Sequence, residues 1–409
     1  MVPNGWDYQP LSKLLEKIID YRGQSVPKAD NGVPLITARN VRDGYLDFTS
    51  KEYVSDQDFE SWMKRGTPRA GDIIFTTEAP LGKACRFPET GRFAVGQRTV
   101  TLRTNSMLDS DYLLYFILSE HGQNLINLSS SGSTAKGIKS SELKKVKISF
   151  PTNLSEQNKI AQILSTWDRA ISTAEQLLTN SQQQKKALMQ QLLPGRKRLL
   201  DKNGVRFSGE WKTTKLSKMG KIVSGGTPDT NTKEFWDGEI SWLTPTDVTA
   251  LKSRFVLSTA RTISDAGVKN SSATLLPAGS LMVCTRATIG ALAISKTEIC
   301  TNQGFKNIIP YKNFDVNFIY YTLLYNTLEL VRKASGSTFL ELSKKDFENI
   351  ELPCPLLEEE QQKIATVLST ADQEISALQQ KLDALKQEKK ALMQQLLTGK
   401  RRVKVEVAA

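Results

Sequence analysis

The sequence predicts an α+β protein with a pseudo-twofold internal repeat, in which two similar mixed α/β domains are separated by two long helices that form an antiparallel coiled coil. Three observations predict it. A nine-residue block occurs twice, each copy ends a long heptad pattern, and each pattern follows a segment of short strand-like runs. Repeats of this kind indicate duplicated structural units.

The repeat is clearest in its helical tails. The block KKALMQQLL occupies 185–193 and recurs at 389–397. The match extends backwards without a gap to Gln157-x-Lys159-Ile160-Ala161 and Gln361-x-Lys363-Ile364-Ala365, 204 residues apart. Weaker matches precede it, such as the Ser-Gly-Ser-Thr segments at 131–134 and 335–338. The chain is therefore two copies of one unit, each a variable globular part followed by a near-identical tail.

Each tail has apolar residues at alternating steps of three and four, which is the pattern of a coiled-coil seam. The predicted seam positions are Ile160, Leu164, Trp167, Ile171, Leu178, Leu188, Leu192, Ile364, Leu368, Ile375, Leu378, Leu382, Leu385, Leu392 and Leu396, with Lys185 and Lys389 at two further seam positions. Ser155 is the expected N-terminal cap of the first helix, and Gly195 and Gly399 are the expected ends. A helix of about 38 residues is about 57 Å long. The alternative is that the tails are core helices of separate domains.

The globular parts contain short strand-like runs interrupted by Gly and Pro. The predicted strands are 73–75, 93–95, 146–148, 281–283 and 291–294, and the predicted buried helices are 111–118 and 316–324. The resulting boundaries are 1–151 and 200–355 for the globular domains, 152–199 for the first helix, and 356–409 for the second helix with its basic C-terminal tail.

Composition limits the possible chemistry. The net charge is +12, which favours an acidic partner such as nucleic acid. His121 is the only histidine and lies at the apparent end of a helix, where a dipole partner is the favoured interpretation. The four cysteines form no C-x-x-C pair. No apolar run is long enough to span a membrane, and the sequence has no secretory signal. These features favour a reducing, cytoplasmic setting without a membrane. There is no phosphate loop, no amino-methyltransferase tetrapeptide and no metal-nuclease constellation, so no catalytic, cofactor or metal site is expected in this chain.

With these features, the chain resembles the DNA-specificity (S) subunit of type I restriction–modification enzymes. The tails from Pro151 to Gly195 and from Pro355 to Gly399 carry the most specific part of the resemblance. It implies that 1–151 and 200–355 are target-recognition domains, each reading one half of a split double-stranded DNA sequence. It also implies that the two helices space these domains and bind methyltransferase (modification) subunits, expected to number two.

The resemblance further implies that this subunit is non-catalytic and that its partners carry the cofactors. Modification subunits would use S-adenosylmethionine to methylate adenine, and restriction subunits would use ATP and Mg²⁺ to translocate and cleave DNA. The helix pair would then determine the unread spacer between the half-sites, and inserting four residues after Asn180 is expected to lengthen it. A standalone enzyme and a coiled-coil scaffold that binds only proteins are the alternative functions.

Candidate DNA contacts are polar and basic residues in loops, because Arg, Lys, Asn and Gln read base edges and hydroxyls assist. In the first domain they are Arg39, Asn40, Arg42, Gln97, Arg98, Thr134 and Lys136. In the second they are Thr244, Thr246, Arg286, Gln303, Lys306 and Thr338. The matched Gln97 and Gln303 are either shared backbone contacts or shared turn architecture. The basic clusters 196–198 and 400–402 either oppose the helix dipole or contact DNA or a partner.

Overall fold

The computed structural model describes residues 2–132, 136–334 and 340–405. The chain forms two compact units. The first unit contains Met1–Gln176 and Gln380–Ala409, and the second contains Leu177–Gln379. Both divisions fall inside a long helix, so each unit holds one part of each of the two long helices.

The first unit is built on short strands. In chain order they are β1 (Trp6–Pro10), β2 (Leu15–Asp20), β3 (Lys28–Ala29), β4 (Val33–Ile36), β5 (Tyr53–Val54), β6 (Ile73–Thr76), β7 (Ala84–Arg86), β8 (Ala94–Val95), β9 (Thr99–Thr104) and β10 (Lys147–Pro151). The sheets have the strand orders β2-β9-β6-β7, β3-β5-β4-β8 and β1-β10. The pairs β2–β9, β6–β9 and β6–β7 are antiparallel, whereas β4 and β8 run parallel.

The second unit repeats this plan with local differences. Its strands are β11 (Trp211–Lys215), β12 (Gly220–Ser224), β13 (Trp236–Leu243), β14 (Phe255–Val256), β15 (Thr262–Ile263), β16 (Leu281–Cys284), β17 (Leu292–Ser295), β18 (Ile299–Thr301), β19 (Phe305–Pro310) and β20 (Glu351–Pro355). The sheets have the orders β12-β19-β16-β17-β14, β15-β13-β18 and β11-β20. Here β13 and β18 form the parallel pair that corresponds to β4 and β8.

The helices confirm the predicted buried helices and the two long tails. They are α1 (Leu11–Leu14), α2 (Asp56–Trp62), α3 (Ser110–Leu118), α4 (Glu120–Leu128), α5 (Ser140–Leu143), α6 (Leu154–Leu192), α7 (Leu216–Met219), α8 (Pro245–Ala250), α9 (Asp265–Lys269), α10 (Val316–Tyr325), α11 (Thr327–Lys333), α12 (Lys344–Glu348) and α13 (Glu358–Leu396). Two 3₁₀ turns occupy Met63–Arg65 and Lys233–Phe235. The side chains of Asp109 and Asp315 cap α3 and α10 by accepting from backbone amides of the first turn.

The two long helices pack together in each unit, and they run antiparallel. In the first unit the carboxylate of Asp168 on α6 accepts from Lys389 on α13 at 2.5 Å, and Glu156 at the start of α6 pairs with Arg402 beyond the end of α13 at 2.6 Å. The lower-numbered end of one helix thus meets the higher-numbered end of the other.

The second unit has the matching pairs. Lys185 on α6 donates to Asp372 on α13, and Arg198 pairs with Glu360, each at 2.5 Å. These pairs explain the two lysines at seam positions, since each is satisfied by an aspartate of the opposite helix.

The seam also forms part of the core of each unit, which the heptad pattern alone does not reveal. In the first unit Ile160 and Leu164 of α6 pack with Leu396 of α13 in the same buried cluster as α3 residues such as Phe116. In the second unit Ile364 and Leu368 of α13 pack with Leu192 of α6 and α10 residues such as Phe318. The predicted seam and the alternative of core helices therefore both describe part of the packing.

The remaining predicted seam residues are buried or half-buried. Leu178 and Leu382 are buried. The half-buried members are Trp167, Ile171, Leu188, Ile375, Leu378, Leu385 and Leu392.

The ends of the tails are defined by glycine and by a cap that differs from the predicted one. Gly195 and Gly399 have φ values of 72° and 70°, and each is followed by a backbone amide that bonds back into the last helical turn. This confirms both predicted C-terminal ends. The prediction of Ser155 as the N-terminal cap is wrong, because α6 begins at Leu154 and the side chain of Asn153 accepts from the amide of Ser155 at 2.8 Å.

His121 also lies elsewhere than expected. It is in the first turn of α4, after Ser119 has ended α3 and capped α4, and its ring contacts the edge of Phe116. The interpretation as a dipole partner at a helix C-terminus is therefore wrong, because the chain starts a new helix there. Among the described residues, no helix is both long and apolar enough to span a membrane.

Candidate nucleic-acid interface

In the first unit, a parallel strand pair places two of the predicted loops side by side. Leu35 and Ile36 of β4 pair with Ala94 and Val95 of β8, so the carboxyl ends of both strands lie at the same sheet edge. The loop 37–42 leaves β4 there, and the loop 96–98 leaves β8. The amide of Gly96 donates to the carbonyl of Ile36 at 2.8 Å, which holds the two loops together.

A third segment joins this edge through a threonine. The amide and hydroxyl of Thr77, which follows β6, both donate to the carbonyl of Arg98, at 3.0 and 3.2 Å. The amide of Ile138 donates to the carbonyl of Thr77 at 2.9 Å. This hydrogen bond places the segment 136–138, which includes the exposed Lys136, at the same edge. We call the segments 37–42, 77–79, 96–98 and 136–138 the first loop edge.

The first loop edge surrounds a cleft of about 350 Å³. Arg39, Gln97 and Arg98 line it together with Lys28 and Glu52, which form an ion pair at 2.9 Å. The structure therefore brings three of the predicted DNA contacts into one concave surface that carries both basic and amide groups.

The second unit builds an equivalent edge with the same hydrogen bonds. The amide of Asn302 donates to the carbonyl of Leu243, the amide of Thr285 donates to the carbonyl of Gly304, and the amide of Leu342 donates to the carbonyl of Thr285, at 2.8–3.1 Å. We call the segments 244–247, 285–288, 302–306 and 340–342 the second loop edge. The repeat thus extends to the backbone of the loops, although their side chains differ.

Two of the predicted contacts in the first unit are held by the protein itself. Asn40 is buried, and its carbonyl oxygen accepts from the amide and hydroxyl of Thr37 while its amide group donates to the carbonyls of Asp47 and Ser50. Arg42 donates to the carbonyl of Arg39 and to the Asp47 carboxylate. Asn40 therefore shapes the loop and has no side-chain group left for a base edge, whereas Arg39 is exposed.

The predicted contacts of the second unit divide in the same way. The hydroxyl of Thr244 caps α8 and bonds to Asp247, so its function is structural, whereas Thr246 is exposed. Lys306 is buried, and its ammonium lies 3.9 Å from Glu341. Burial lowers the pKa of Lys306, and the carboxylate opposes this change.

Arg286 and Gln303 are exposed on the second loop edge. Arg286 donates to Glu341 at 2.7 Å, and this hydrogen bond is the main reason that the pKa of Glu341 lies below its ordinary value. Gln303 accepts a hydrogen bond from the hydroxyl of Thr227. Thr134 and Thr338 lie outside the described residues.

One basic residue near this edge was not found from the sequence. Arg261 is exposed, and its guanidinium stacks over Trp236 at 3.7 Å, with Trp242 at 5.4 Å. Its carbonyl accepts from the amide of Trp242 at 3.1 Å, just before the loop that begins at Thr244. The two tryptophans and the arginine are too far apart in sequence to form a recognisable motif.

The basic clusters at the helix ends are partly structural. Arg198 and Arg402 form the ion pairs with the buried Glu360 and Glu156 described above. The other members, Arg196, Lys197, Lys400 and Arg401, are exposed. Neither of the two predicted explanations included an ion pair to the opposite helix.

Thiol and metal chemistry find no support in the part of the chain that the structure describes. The four cysteines are free and buried. Burial raises the pKa of Cys85 and Cys354 to about 12, and of Cys284 and Cys300 to about 11, so these thiols stay protonated near neutral pH. Within the described ranges, His, Cys, Asp and Glu form no group of three or more that could hold a metal ion.

Comparisons with known proteins identify the family. The family model described as the type I restriction modification DNA specificity domain matches residues 11–180 and 208–387. The type I restriction enzyme MjaIX specificity subunit of Methanocaldococcus jannaschii is 39% identical over 165 residues, which is 40% of this chain and 38% of that relative. The putative MjaX specificity subunit of the same organism is 27% identical over 98% of this chain and 95% of its own length.

A solved structure supports the fold. The crystal structure of the S subunit of the type I restriction–modification system from M. genitalium matches with a TM-score of 0.59 and 15% identity, and the match covers 97% of each chain. This chain therefore belongs to the family of type I restriction–modification DNA specificity (S) subunits, the non-catalytic subunits of those enzyme complexes.

Proposed function

We propose that this chain selects the DNA target of a type I restriction–modification complex, with each unit reading one half of a split double-stranded sequence. The observation that supports this most is the pair of loop edges. Both are built by the same three backbone hydrogen bonds, yet they present different side chains. A common framework with different polar groups is what two readers of two different sequences require.

The chemistry of the edges fits double-stranded DNA. Arg39 and Arg98 on the first edge, and Arg286 on the second, can donate two hydrogen bonds to a guanine edge. Exposed hydroxyls and backbone amides nearby suit phosphate oxygens. The net charge of +12 favours approach to the polyanion.

In this proposal the two long helices determine the distance between the half-sites. α6 and α13 each contain 39 residues, and their antiparallel packing within each unit fixes where each recognition domain attaches. The length of the helices would then appear as the number of unread base pairs.

The same helices would bind two modification subunits. Each unit has a polar cleft between a helix of the globular part and a long helix. In the first unit it lies between the start of α3 and α6, with a volume of about 350 Å³, and in the second between the start of α10 and α13, with a volume of about 450 Å³. The matched lining residues are Asp109 and Asp315, Ala161 and Ala365, Ser165 and Ser369, and Thr166 and Thr370. Two clefts with shared lining support a partner that binds twice, and this partner would supply S-adenosylmethionine and methylate adenine. Restriction subunits using ATP and Mg²⁺ would complete the complex.

The function is tested by expressing the chain with the modification subunit encoded beside it and mapping methylated adenines across the host genome. We expect a split motif that disappears when this chain is deleted. Unchanged methylation after deletion would contradict the proposal and favour a scaffold. Methylation or cleavage by the purified chain alone would instead show a standalone enzyme.

The spacing function is tested by inserting seven residues after Gln176 and seven after Gln379. These points lie at the divisions between the units, so both helices lengthen by one heptad without interrupting contacts within either unit. Seven residues add about 10 Å of helix, which equals about three base pairs at ~3.4 Å each. We expect the same two half-sites with a spacer longer by up to about three base pairs.

The matched control inserts the same seven residues after Lys202, in the exposed turn between Asp201 and Val205. This control should keep the original spacer. Efficient methylation with an unchanged spacer in the helix-insertion variant would exclude the spacing function, while the half-site assignment would stand.

A further inference from the structure

Each loop edge carries an acid–base pair that includes the same position of the repeat. Glu78 and Arg286 occupy equivalent positions, because each follows the threonine that bonds to the neighbouring loop. Each is followed by an alanine with positive φ, 45° at Ala79 and 55° at Ala287. Each also forms an isolated antiparallel bridge, to Gly137 and to Glu341 respectively.

The shared position carries opposite charges in the two units, and its partner lies in a different loop in each. In the first unit the shared position holds the acid, and the Glu78 carboxylate lies 3.3 Å from Nε of Arg98 in the neighbouring loop. In the second unit the shared position holds the base, and Nη2 of Arg286 lies 2.7 Å from the carboxylate of Glu341. The shared position therefore holds an acid in one unit and a base in the other, and each is paired with the opposite charge on a neighbouring segment.

Stability does not account for these pairs. The side chains of Glu78 and Arg98 are 50% and 57% exposed, and those of Glu341 and Arg286 are 34% and 46% exposed. Exposed ion pairs contribute little to folding free energy because water solvates both partners well. A charged pair formed at this shared position in both units, although the charge and the partner segment differ, is better explained by what it binds.

The pairs are also held in place by their surroundings. The carbonyl of Arg98 accepts two hydrogen bonds from Thr77, which fixes the start of its side chain. The carboxylate of Glu341 also lies 3.9 Å from the buried ammonium of Lys306, which is a second positive charge beside that of Arg286. Preorganised donors and acceptors lose little conformational entropy when they bind.

We propose that each acid–base pair reads one G·C base pair in the major groove, with the arginine donating to guanine and the glutamate accepting from cytosine. This inference rests on the proposed function. Guanine presents the acceptors O6 and N7, and its partner cytosine presents the N4 amino donor on the same edge. An arginine beside a glutamate matches this order of acceptors and donor. The order of the arginine and the glutamate on each edge then determines which DNA strand carries the guanine.

The glutamate has a second consequence for specificity. An unpaired arginine binds any phosphate, which adds affinity without sequence information. A carboxylate next to the guanidinium repels phosphate, so the arginine is favoured only where a base edge accepts both groups. Glu78 and Glu341 therefore act as specificity-determining residues and not only as partners of an arginine.

The test uses the full chain assembled with its modification subunits and a library of split DNA targets randomised at one position at a time. We expect Glu341→Ala to reduce discrimination by about tenfold or more at one position of one half-site, and Glu78→Ala to do so at one position of the other. Binding to unrelated DNA should increase in both variants. The matched control is Glu16→Ala, which removes the exposed partner of Arg69 at the opposite end of the β2–β9 pair and should change no position.

A charge exchange within the second unit tests the orientation. The double variant with Arg286→Glu and Glu341→Arg should prefer C·G where the wild type prefers G·C. Glu341→Gln, which keeps the shape of the side chain, separates loss of charge from misfolding and should still raise binding to unrelated DNA. Active complexes whose base preference is unchanged at every position, or relaxed equally at all positions, would overturn the proposal. The split motif that the wild-type complex methylates would still test the proposed function independently of these variants.

Discussion

The tails and the loop edges of this protein contrast sharply in how they repeat. In the tails, the contacts recur residue for residue. Tyr115 donates to Asp168 in the first unit as Tyr321 donates to Asp372 in the second, and each aspartate also accepts from the seam lysine of the opposite helix. Gln157 and Gln361 each accept from the backbone amide of the aspartate that caps a domain helix.

At the loop edges the backbone recurs, but only some of the side chains do. The same three amide-to-carbonyl bonds assemble both edges, but Glu78 corresponds to Arg286 and Arg98 corresponds to Gly304. Under the proposed function, side-chain identity is constrained where both units pack the same helices and would bind the same partner, and it varies where each unit would read a different sequence.

The largest expected effect comes from breaking the repeat in the tails. Glu360 is buried and accepts two hydrogen bonds from Arg198, so Glu360→Ala leaves a half-buried guanidinium without its counter-charge. We expect a loss of about 3 kcal/mol in the free energy of unfolding, measured by urea denaturation of the full chain. Glu156→Ala, in the first unit, should cost about 1 kcal/mol, because the side chain of Arg402 is 44% exposed and is solvated by water when its partner is removed.

A double replacement checks the cause of this loss. Arg198→Met combined with Glu360→Leu removes both charges and should recover most of the stability, because buried ion pairs can be replaced by apolar residues at little cost. Equal losses from Glu360→Ala and Glu156→Ala would show that exposure of the arginine does not control the energy of these pairs.

The next effect separates two neighbouring residues of the first loop edge. Asn40→Ala removes the four hydrogen bonds that close the loop and should cost about 2 kcal/mol of stability. Arg39→Ala should change stability by less than about 0.5 kcal/mol and should weaken binding of the cognate half-site by about tenfold. Thermal denaturation and competition binding distinguish them, and a stability loss at Arg39 that matches Asn40 would contradict the assignment.

The sequence predicted the tails in detail because their physics is periodic. Steps of three and four residues specify a helix face, and a glycine after the last leucine specifies where the helix ends. Exact duplication then identified which helices pair. The sequence does not distinguish the cap at Asn153 from Ser155, because the two residues lie two positions apart and both residue types favour a cap. Only the hydrogen bond from the amide of Ser155 to the Asn153 side chain decides between them.

The loop edges were predicted as regions but not as sites. The loop chemistry identified segments that the structure brings together, since Arg39, Gln97 and Arg98 line one cleft. The loop chemistry could not distinguish Asn40, whose side-chain hydrogen-bonding groups are all used within its own loop, from the exposed Arg39 beside it. Lys306 is buried and Arg261 is stacked on Trp236 because of contacts between segments distant in sequence, and no local pattern reports those.

The smallest expected effect concerns Gln97 and Gln303, which occupy matched positions in loops that otherwise differ. If both contact the sugar–phosphate backbone, Gln97→Ala and Gln303→Ala should each lower DNA affinity by about three- to tenfold, the value of one neutral hydrogen bond, with no change in the motif.

The alternative is shared turn architecture, and the structure offers a way to separate the two. The hydroxyl of Thr227 donates to the Gln303 side chain. Thr227→Val removes that bond while leaving the glutamine in place. If architecture is the function of Gln303, Thr227→Val should reproduce the effect of Gln303→Ala in binding measurements. If DNA contact is its function, the valine variant should bind as the wild type does, and the two loop edges would share one sequence-independent contact within otherwise different surfaces.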